Sequence, residues 1–517
     1  MNSVLISFIA IVPIGILILL AFFSRRNFLT SAVLALVALL GTSIFVWQIA
    51  PTIMFASSIK GVFVALEIIA IIFGALLVLE VFKKMRGEDA AQQVFDKISP
   101  DYKVKVILIA WALVAFLEGI SGFGTPAMIA APILIAIGVA PITSVIVSLI
   151  GGSLPVVFGA AGLPITYGMA FVIGENLALE AASIIVILNI ITAPLVVAAI
   201  LFIASKEKNR WRDVRNNLAF IIFASLAVSV PSFVAFHLLG PELTSIVGGI
   251  GGMLIISLYA FAQNVLKKIK IPSLSIKNIV PFAPYIVVAI LLAMTRFSEI
   301  NLFLRESWTI NIPDIFGTGI SYILSPLLSP AVAFFAVAIG FFVYLFIRDK
   351  GDYKTEIINN VVRKIIKPAM VLVTVLVFVQ IMLNSGISNA GLPNMIVSAA
   401  YIFSGAGQAI TVLIAPVIGA LGAFVAGSAT VSNLLFSSIQ QTSALISGNK
   451  ESIIMAMQGM GSSAGNVIAI HNILAALAIV GLGARAEKKV LKTNLSYLLI
   501  YLGFVGILGL IVTAIVV

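Results

Sequence analysis

The chain reads as an all-α polytopic membrane protein, and three observations carry that reading. Of its 517 residues 61% are hydrophobic and 10% charged, at a mean hydropathy of +1.20, which lies outside the range of soluble domains. The apolar runs are about 20 residues long, the length at which a helix crosses a bilayer. The basic residues gather in short loops between those runs, the positive-inside pattern of a multi-pass protein.

That pattern also accounts for the net charge of +11, 31 basic residues against 20 acidic. In a soluble chain such an excess would point to nucleic acid, but here it sits at span ends and forms no phosphate-binding face, so no nucleic-acid partner is expected. With no cysteine there is no disulfide framework, thiolate catalyst or Cys-ligated metal. Two histidines, His237 and His471, leave little for a metal site, and no metal or cofactor is expected.

Placing every basic loop inside orients the chain, with the N-terminus outside and the plasma membrane as its location. The first span runs from about Val4 to Phe23 and reaches Arg25 and Arg26; a second runs from Leu29 to Ile49, and a third from Gly61 to Phe82 ahead of Lys83 and Lys84. Glu88 to Ile98 is mixed and suits the interface. Residues 103–138 keep the charge parity only as a re-entrant hairpin opening inward, with a tip in Phe116-Leu-Glu-Gly-Ile-Ser-Gly-Phe-Gly-Thr-Pro126. The glycines and proline interrupt a helix, and backbone groups freed at membrane depth persist only when buried in protein or lining a cavity. Residues 143–169 then read as a helix broken at Gly151-Gly-Ser-Leu-Pro155, and Leu177 to Ile203 returns to the basic loop at Lys206.

Further spans fall near Leu218–Leu239, Ile246–Gln263, Ile279–Met294, Ala331–Phe346 and Met370–Asn384. Lys267, Lys268 and Lys270 follow the second of these inside, Arg296 to Ile315 is irregular, and Asp349 to Lys367 is a charged linker. The run Gly248-Gly-Ile-Gly-Gly252 suits close helix packing. Pro393 to Ser404 is again mixed. Residues 408–447 form a second hairpin, opening outward, with the tip Gly427-Ser-Ala-Thr-Val-Ser-Asn433; residues 451–482 form a second broken helix, interrupted from Gly459 to Asn466. Arg485, Lys488 and Lys489 lie inside before a final span, Ser496 to Val516. The total is about twelve spans and two hairpins, divided at 1–203, 204–365 and 366–517.

Phe116 and Gly119 recur as Phe424 and Gly427, and Gly151 recurs as Gly459, both offset by 308 residues (427 minus 119, 459 minus 151). Hairpins of opposite opening at one offset define an inverted repeat, the layout of secondary transporters with the site at the repeat interface.

Two tips and two helix breaks would aim half-helix N-termini at one spot, each with about half a positive charge that favours an anion. Ser121, Gly122, Gly124 and Thr125 on the first tip, Ser428, Thr430, Ser432 and Asn433 on the second, and Ser153, Ser462, Ser463 and Asn466 at the breaks are the candidate ligands. Each hydroxyl is read as a ligand or as a helix cap. Glu118, an acid at membrane depth beside the tip, is the candidate proton carrier, against a structural role bonding tip N–H groups. Glu67, mid-span, and His471, after the second break, are read either as coupling groups or as structural hydrogen-bond partners. Gly461-Ser-Ser-Ala-Gly465 fits the nucleophile elbow of hydrolases, but that elbow needs an α/β sheet which is not predicted here. Gly119 to Gly124 has no βαβ unit to make it a nucleotide loop. Uphill transport would therefore draw on an ion gradient.

Residues 116–126, together with Pro155-Val-Val-Phe-Gly-Ala-Ala-Gly-Leu-Pro-Ile165 and Gly427-Ser-Ala-Thr-Val-Ser-Asn-Leu-Leu-Phe436, resemble the signatures of the lactate permease family within the ion-transporter superfamily. The resemblance implies import of L-lactate, D-lactate or glycolate with a proton, through scaffold and transport domains that move as an elevator. By analogy with elevator carriers it suggests a homodimer. It also marks departures: Ala429 stands where the family has Asp, Asn466 where it has Lys, and His471 where it has Gln. An acid and a base lost together resemble a buried ion pair removed whole, which is near neutral for stability. The rival readings are a carrier of the same fold with another organic anion or Na⁺ coupling, a channel, and a membrane-embedded hydrolase using Ser462 or Ser463 with His471.

Overall fold

Helices fill most of the sequence because the apolar runs leave their backbone groups no partner but one another. The computed structural model describes residues 3–23, 28–122, 124–268, 280–349, 353–404, 407–483 and 486–516. Arg25, Arg26, Lys270 and Arg485 of the basic loops, Phe123 of the first tip and Ile279 at a span start lie outside the described residues. Among the described residues ten helices are long and apolar enough to cross a membrane, or up to twelve when two sharply bent pairs are each taken as one span. The chain is thus a multi-pass membrane protein of nearly pure helix.

The expected third span is longer than its apolar core. Pro51–Lys84 is one helix of 34 residues, about 50 Å at the α-helical rise, so it projects beyond the roughly 30 Å hydrocarbon layer. Proline at its start supplies a fixed φ where no intrahelical N–H bond is lost. The charged linker and the span after it are also a single helix, Lys354–Leu383. Glu80 of the first helix pairs with Lys364 of the second at 2.5 Å, and Lys84 pairs with Glu356 at 2.7 Å. These pairs bring charged residues of the linker, one basic and one acidic, into register with the end of the long span.

One region departs from the all-α expectation. Val280–Met294 turns by 87° into the helix Ser298–Ser307, and the chain then makes an antiparallel ribbon of β1 (Ile310–Ile312) and β2 (Tyr322–Leu324), with Asn311 opposite Ile323. The polar composition marked this stretch as irregular, but three-residue strands leave too short a pattern to read.

Both hairpins form as helix-turn-helix units. The first runs up through Tyr102–Ile120, turns at 121–124 and descends through Thr125–Ala136. Asp101 starts it, its side chain accepting from the Lys103 N–H at 2.8 Å. The second joins Gln408–Ala426 to Ala429–Ser447 across Gly427 and Ser428. The first broken helix ends its first half at Gly151 and passes through a 3-10 turn, Pro155–Phe158. Three left-handed residues follow, Ala160, Ala161 and Gly162, before helix resumes at Pro164.

The second break lies later than the glycines suggested. Glu451–Gly465 is unbroken through Gly459 and Gly461, and the interruption falls at Asn466–Ile468. These glycines serve packing: a Cβ on Gly461 would lie 2.0 Å from the Pro416 carbonyl oxygen. The glycine run at 248–252 behaves as expected, with Gly249 against the Phe116 backbone at 2.3 Å from its would-be Cβ.

Candidate functional site

The turn of each hairpin and the interruption of each broken helix meet around one small cavity with about 20 Å³ of open space. Gly122 comes from the first tip and Gly427 to Thr430 from the second. Val156, Gly159, Ala160 and Pro164 come from the first break, and Asn466 from the second. Glu118 stands beside them as the one ionisable side chain among the described residues of the lining.

The wall is shaped by backbone geometry more than by side chains. Left-handed backbone costs an L-residue about 1–2 kcal/mol, and Ala160 (φ 46°) and Ala161 (φ 55°) both adopt it. Such strain persists where surrounding structure over-determines it. Here Ala160 abuts Gly122, whose would-be Cβ lies 3.2 Å from the alanine Cβ. A larger residue at either position would close the gap between tip and break.

Glu118 is 4% exposed, and its Oε2 has no hydrogen-bond partner. Would-be Cβ atoms on Gly152 and Gly159 lie 3.5 Å from Oε1 and 3.3 Å from Oε2, so the two glycines of the first break make the space this carboxyl occupies.

Four of the twelve candidate ligands, Gly122, Ser428, Thr430 and Asn466, line this cavity. Ser428 also caps its helix, its Oγ accepting from the Val431 N–H; Asn466 accepts from the Asn472 amide at 2.8 Å. Gly124 lines a neighbouring cavity, and Thr125 is buried at the start of the descending arm. The remaining hydroxyls bond to protein. Ser121 donates to the Leu117 carbonyl, and Ser462 to that of Gly459. Ser153 donates to Ile150 O and meets the Tyr497 hydroxyl at 2.7 Å.

Ser463 joins the two broken helices, donating to Leu154 O at 3.2 Å and accepting from the Val157 N–H at 3.0 Å. Ser432 and Asn433 belong to a buried amide network. Gln458 donates to both, Asn433 donates to Pro164 O at 2.9 Å, and Gln440 donates to the Gln458 carbonyl oxygen.

Glu67 lies away from the cavity, accepting from the hydroxyls of Tyr167, at 3.4 Å, and Tyr322. His471 is exposed, with Nε2 3.2 Å from the Gly427 carbonyl oxygen and its ring against the Gly427 α-carbon. Neither Ser462 nor Ser463 is bonded to it.

Sequence reasoning missed Gln440, Gln458 and Tyr497, which hold the site's frame, and the small apolar residues of the wall. The run Gly159-Ala-Ala-Gly162 was the available signal, since small residues in series permit close backbone approach. Ala429 and Asn466, two of the three positions read as departures from the family pattern, line the same cavity.

A polar cavity walled by interrupted helices and hairpin tips, inside a bundle of ten to twelve spans, defines a polytopic membrane carrier. Residues 6–516 match the family model described as L-lactate permease. A putative L-lactate permease of Haemophilus influenzae is 29% identical over 472 residues, covering 85% of this chain and 86% of that protein. L-lactate permeases of Escherichia coli and Streptococcus iniae are 25% and 27% identical, covering 88% and 84% of this chain and 86% and 89% of their own lengths. The chain belongs to the L-lactate permease family; it is a transporter and not an enzyme.

Proposed function

We propose that the chain is a secondary active transporter that imports a small monocarboxylate, L-lactate, D-lactate or glycolate, with a proton across the plasma membrane. The observation that carries this reading is a cavity that combines anion-binding geometry with one unpartnered carboxyl. The helix Ala429–Ser447 begins in the cavity wall, so its N-terminal N–H groups and dipole favour a carboxylate. The Ser428 and Thr430 hydroxyls and the Asn466 amide add donors.

Among the described residues no basic side chain lines the cavity. A substrate anion about 4 Å from an ionised Glu118 would meet a repulsion of roughly 4 kcal/mol at an effective dielectric near 20. Binding therefore requires Glu118 to be protonated, and that requirement couples anion and proton.

An inverted repeat is supported by the shared order of hairpin then broken helix in each half, and an N-terminus outside by the basic residues of the loops placed inside. Movement of a transport body against a scaffold is supported by the packing of Pro330–Asp349 and Lys354–Leu383 along Pro51–Lys84.

Uptake of labelled L-lactate into proteoliposomes, with an inward proton gradient and with it collapsed, tests the reading. Accumulation that needs the gradient and is lost in Glu118→Gln is expected; gradient-independent uptake, or full uptake by Glu118→Gln, would overturn it.

A further inference from the structure

Glu118 borders two cavities. The first lies between the hairpin tips. The second, with about 10 Å³ of open space and so room for one water, lies on the other side of the carboxyl, walled by Gly124 and Ala127 of the descending arm, Ser148, Leu149 and Gly152 of the first broken helix, Asn472 near the second break, and Val156 and Asn466, which it shares with the first. The carboxyl is oriented between them. Oε2 lies against Gly159, which lines the first cavity, and Oε1 lies against Gly152, which lines the second.

We propose that Glu118 is addressed from two sides: Oε2 faces the anion, and Oε1 faces a water-holding cavity through which its proton arrives and leaves. This rests on the proton-coupled reading above and adds a separate site for water.

The second cavity is built for water. A buried water needs two to four polar partners and room for about one probe sphere, and Ser148, Asn466, Asn472 and Oε1 supply the polar groups. Ser148 already donates to the Ser144 carbonyl at 2.7 Å, which leaves its oxygen free to accept. Among the described residues no other ionisable side chain lines either cavity. Of the elements packed on this end of the hairpin arm, only Pro241–Leu266 carries a charged group, Glu242, and it pairs with Arg296 at 2.6 Å.

The step balances simply. A hydronium in the second cavity gives its proton to the carboxylate, leaving water there and a neutral acid in place of the anion. The first cavity then presents no negative charge, and the substrate enters without displacing the water. Release runs in reverse, the proton leaving through the second cavity after the anion has left the first.

Two kinds of flux separate this arrangement from a single shared cavity. Exchange of labelled for unlabelled lactate at equal pH on both faces lets the carrier return loaded with its proton in place, whereas net uptake requires the proton to leave. Ala127→Val, whose added methyl groups take the water's space without lining the first cavity, is expected to slow net uptake about tenfold while exchange stays within about twofold. Equal loss of both fluxes, or loss of neither, would overturn the proposal.

A second arm does not depend on lactate. The chain has no cysteine, so Ala127→Cys introduces a unique thiol. Its thiol proton should exchange in D2O, read as loss of the infrared S–H stretch in the folded protein, at a rate unchanged by lactate; an S–H band that persists in D2O in folded protein would mean a dry cavity and overturn the proposal. Should the wild type move no lactate, the transport reading fails, and this arm still decides whether the second cavity holds water.

Discussion

Gly151 is where a single methyl group would be felt most sharply. It closes the first half of the first broken helix, and a Cβ there would lie 1.6 Å from the carbonyl oxygen of Ala110, on the arm that carries Glu118. A backbone carbonyl cannot swing aside as a side chain can. Gly151→Ala should therefore cost about 3 kcal/mol or more, the upper end of overpacking penalties, seen as a large drop in the thermal midpoint of detergent-solubilised protein. At this scale Glu118 was legible, because a carboxyl in a hydrocarbon run has to be accommodated. The hydroxyls were not. Ser153, Ser432, Ser462 and Ser463 have the same composition signal as Ser428, and only the folded backbone decides which carbonyl each one meets. Ala160 and Pro164 carried no polar signal, although their backbones form part of the wall.

The two hairpins and two broken helices were readable as elements because glycine, proline and hydroxyls interrupt otherwise continuous apolar runs. The second break was misplaced for a physical reason. Glycine both weakens a helix and permits close approach, and in Glu451–Gly465 the second property prevails: Gly461 and Gly465 press on the carbonyls of Pro416 and Ala420. With the break at Asn466, the offset that paired Gly151 with Gly459 links a helix end to a helix interior. The tip pairing is also displaced, since Gly427 is at its turn while Gly119 lies one residue inside its helix.

Between the broken helices the element-scale joint is Ser463. Ser463→Ala removes its hydrogen bond to Leu154 O and leaves the Val157 N–H without its partner, a loss of about 1–3 kcal/mol. Thermal melts should show that destabilisation, while the lactate KM of the surviving protein stays at the wild-type value. A rise in KM would make Ser463 a ligand instead of a joint.

Across the whole molecule, the apolar outer faces of the spans, such as Leu226, Val230, Val234 and Leu238 on one helix, suit a lipid surround, and the fixed points are ion pairs at the ends of spans. Lys103, at the start of the first hairpin, meets Asp213 of the helix Arg210–Asn216 at 2.5 Å, and Ser205 donates to the same carboxylate. Burial acts to raise the Asp213 carboxyl, but the hydrogen bonds from Lys103 and Ser205 outweigh it and hold the group below its usual range.

A depressed carboxyl contributes stability above its unfolded value, near pH 4, and loses it as pH falls through the folded value. Melting curves taken across acid pH should show wild type losing stability on that limb. Asp213→Asn should be less stable at pH 7 and should show a smaller decline towards low pH. The span count was legible at this scale from composition and loop charge. The ribbon β1–β2 and the merged helix Lys354–Leu383 were not, because they depend on pairing partners distant in the chain: the Glu67 carboxyl for Tyr322, and Glu80 for Lys364.

The helix Glu487–Val516 reaches both breaks, through Tyr497 to Ser153 and through Asn494, whose amide donates to the Val467 carbonyl at 2.7 Å. In the order of synthesis it leaves the ribosome after both of them. During translation each break must therefore wait, already inserted among its neighbours, for a partner that has not yet been made. A nascent chain stalled before this helix would hold both interruptions without those hydrogen bonds. Quality-control proteases that survey the membrane would meet a carrier with all its other spans in place and its centre unfinished.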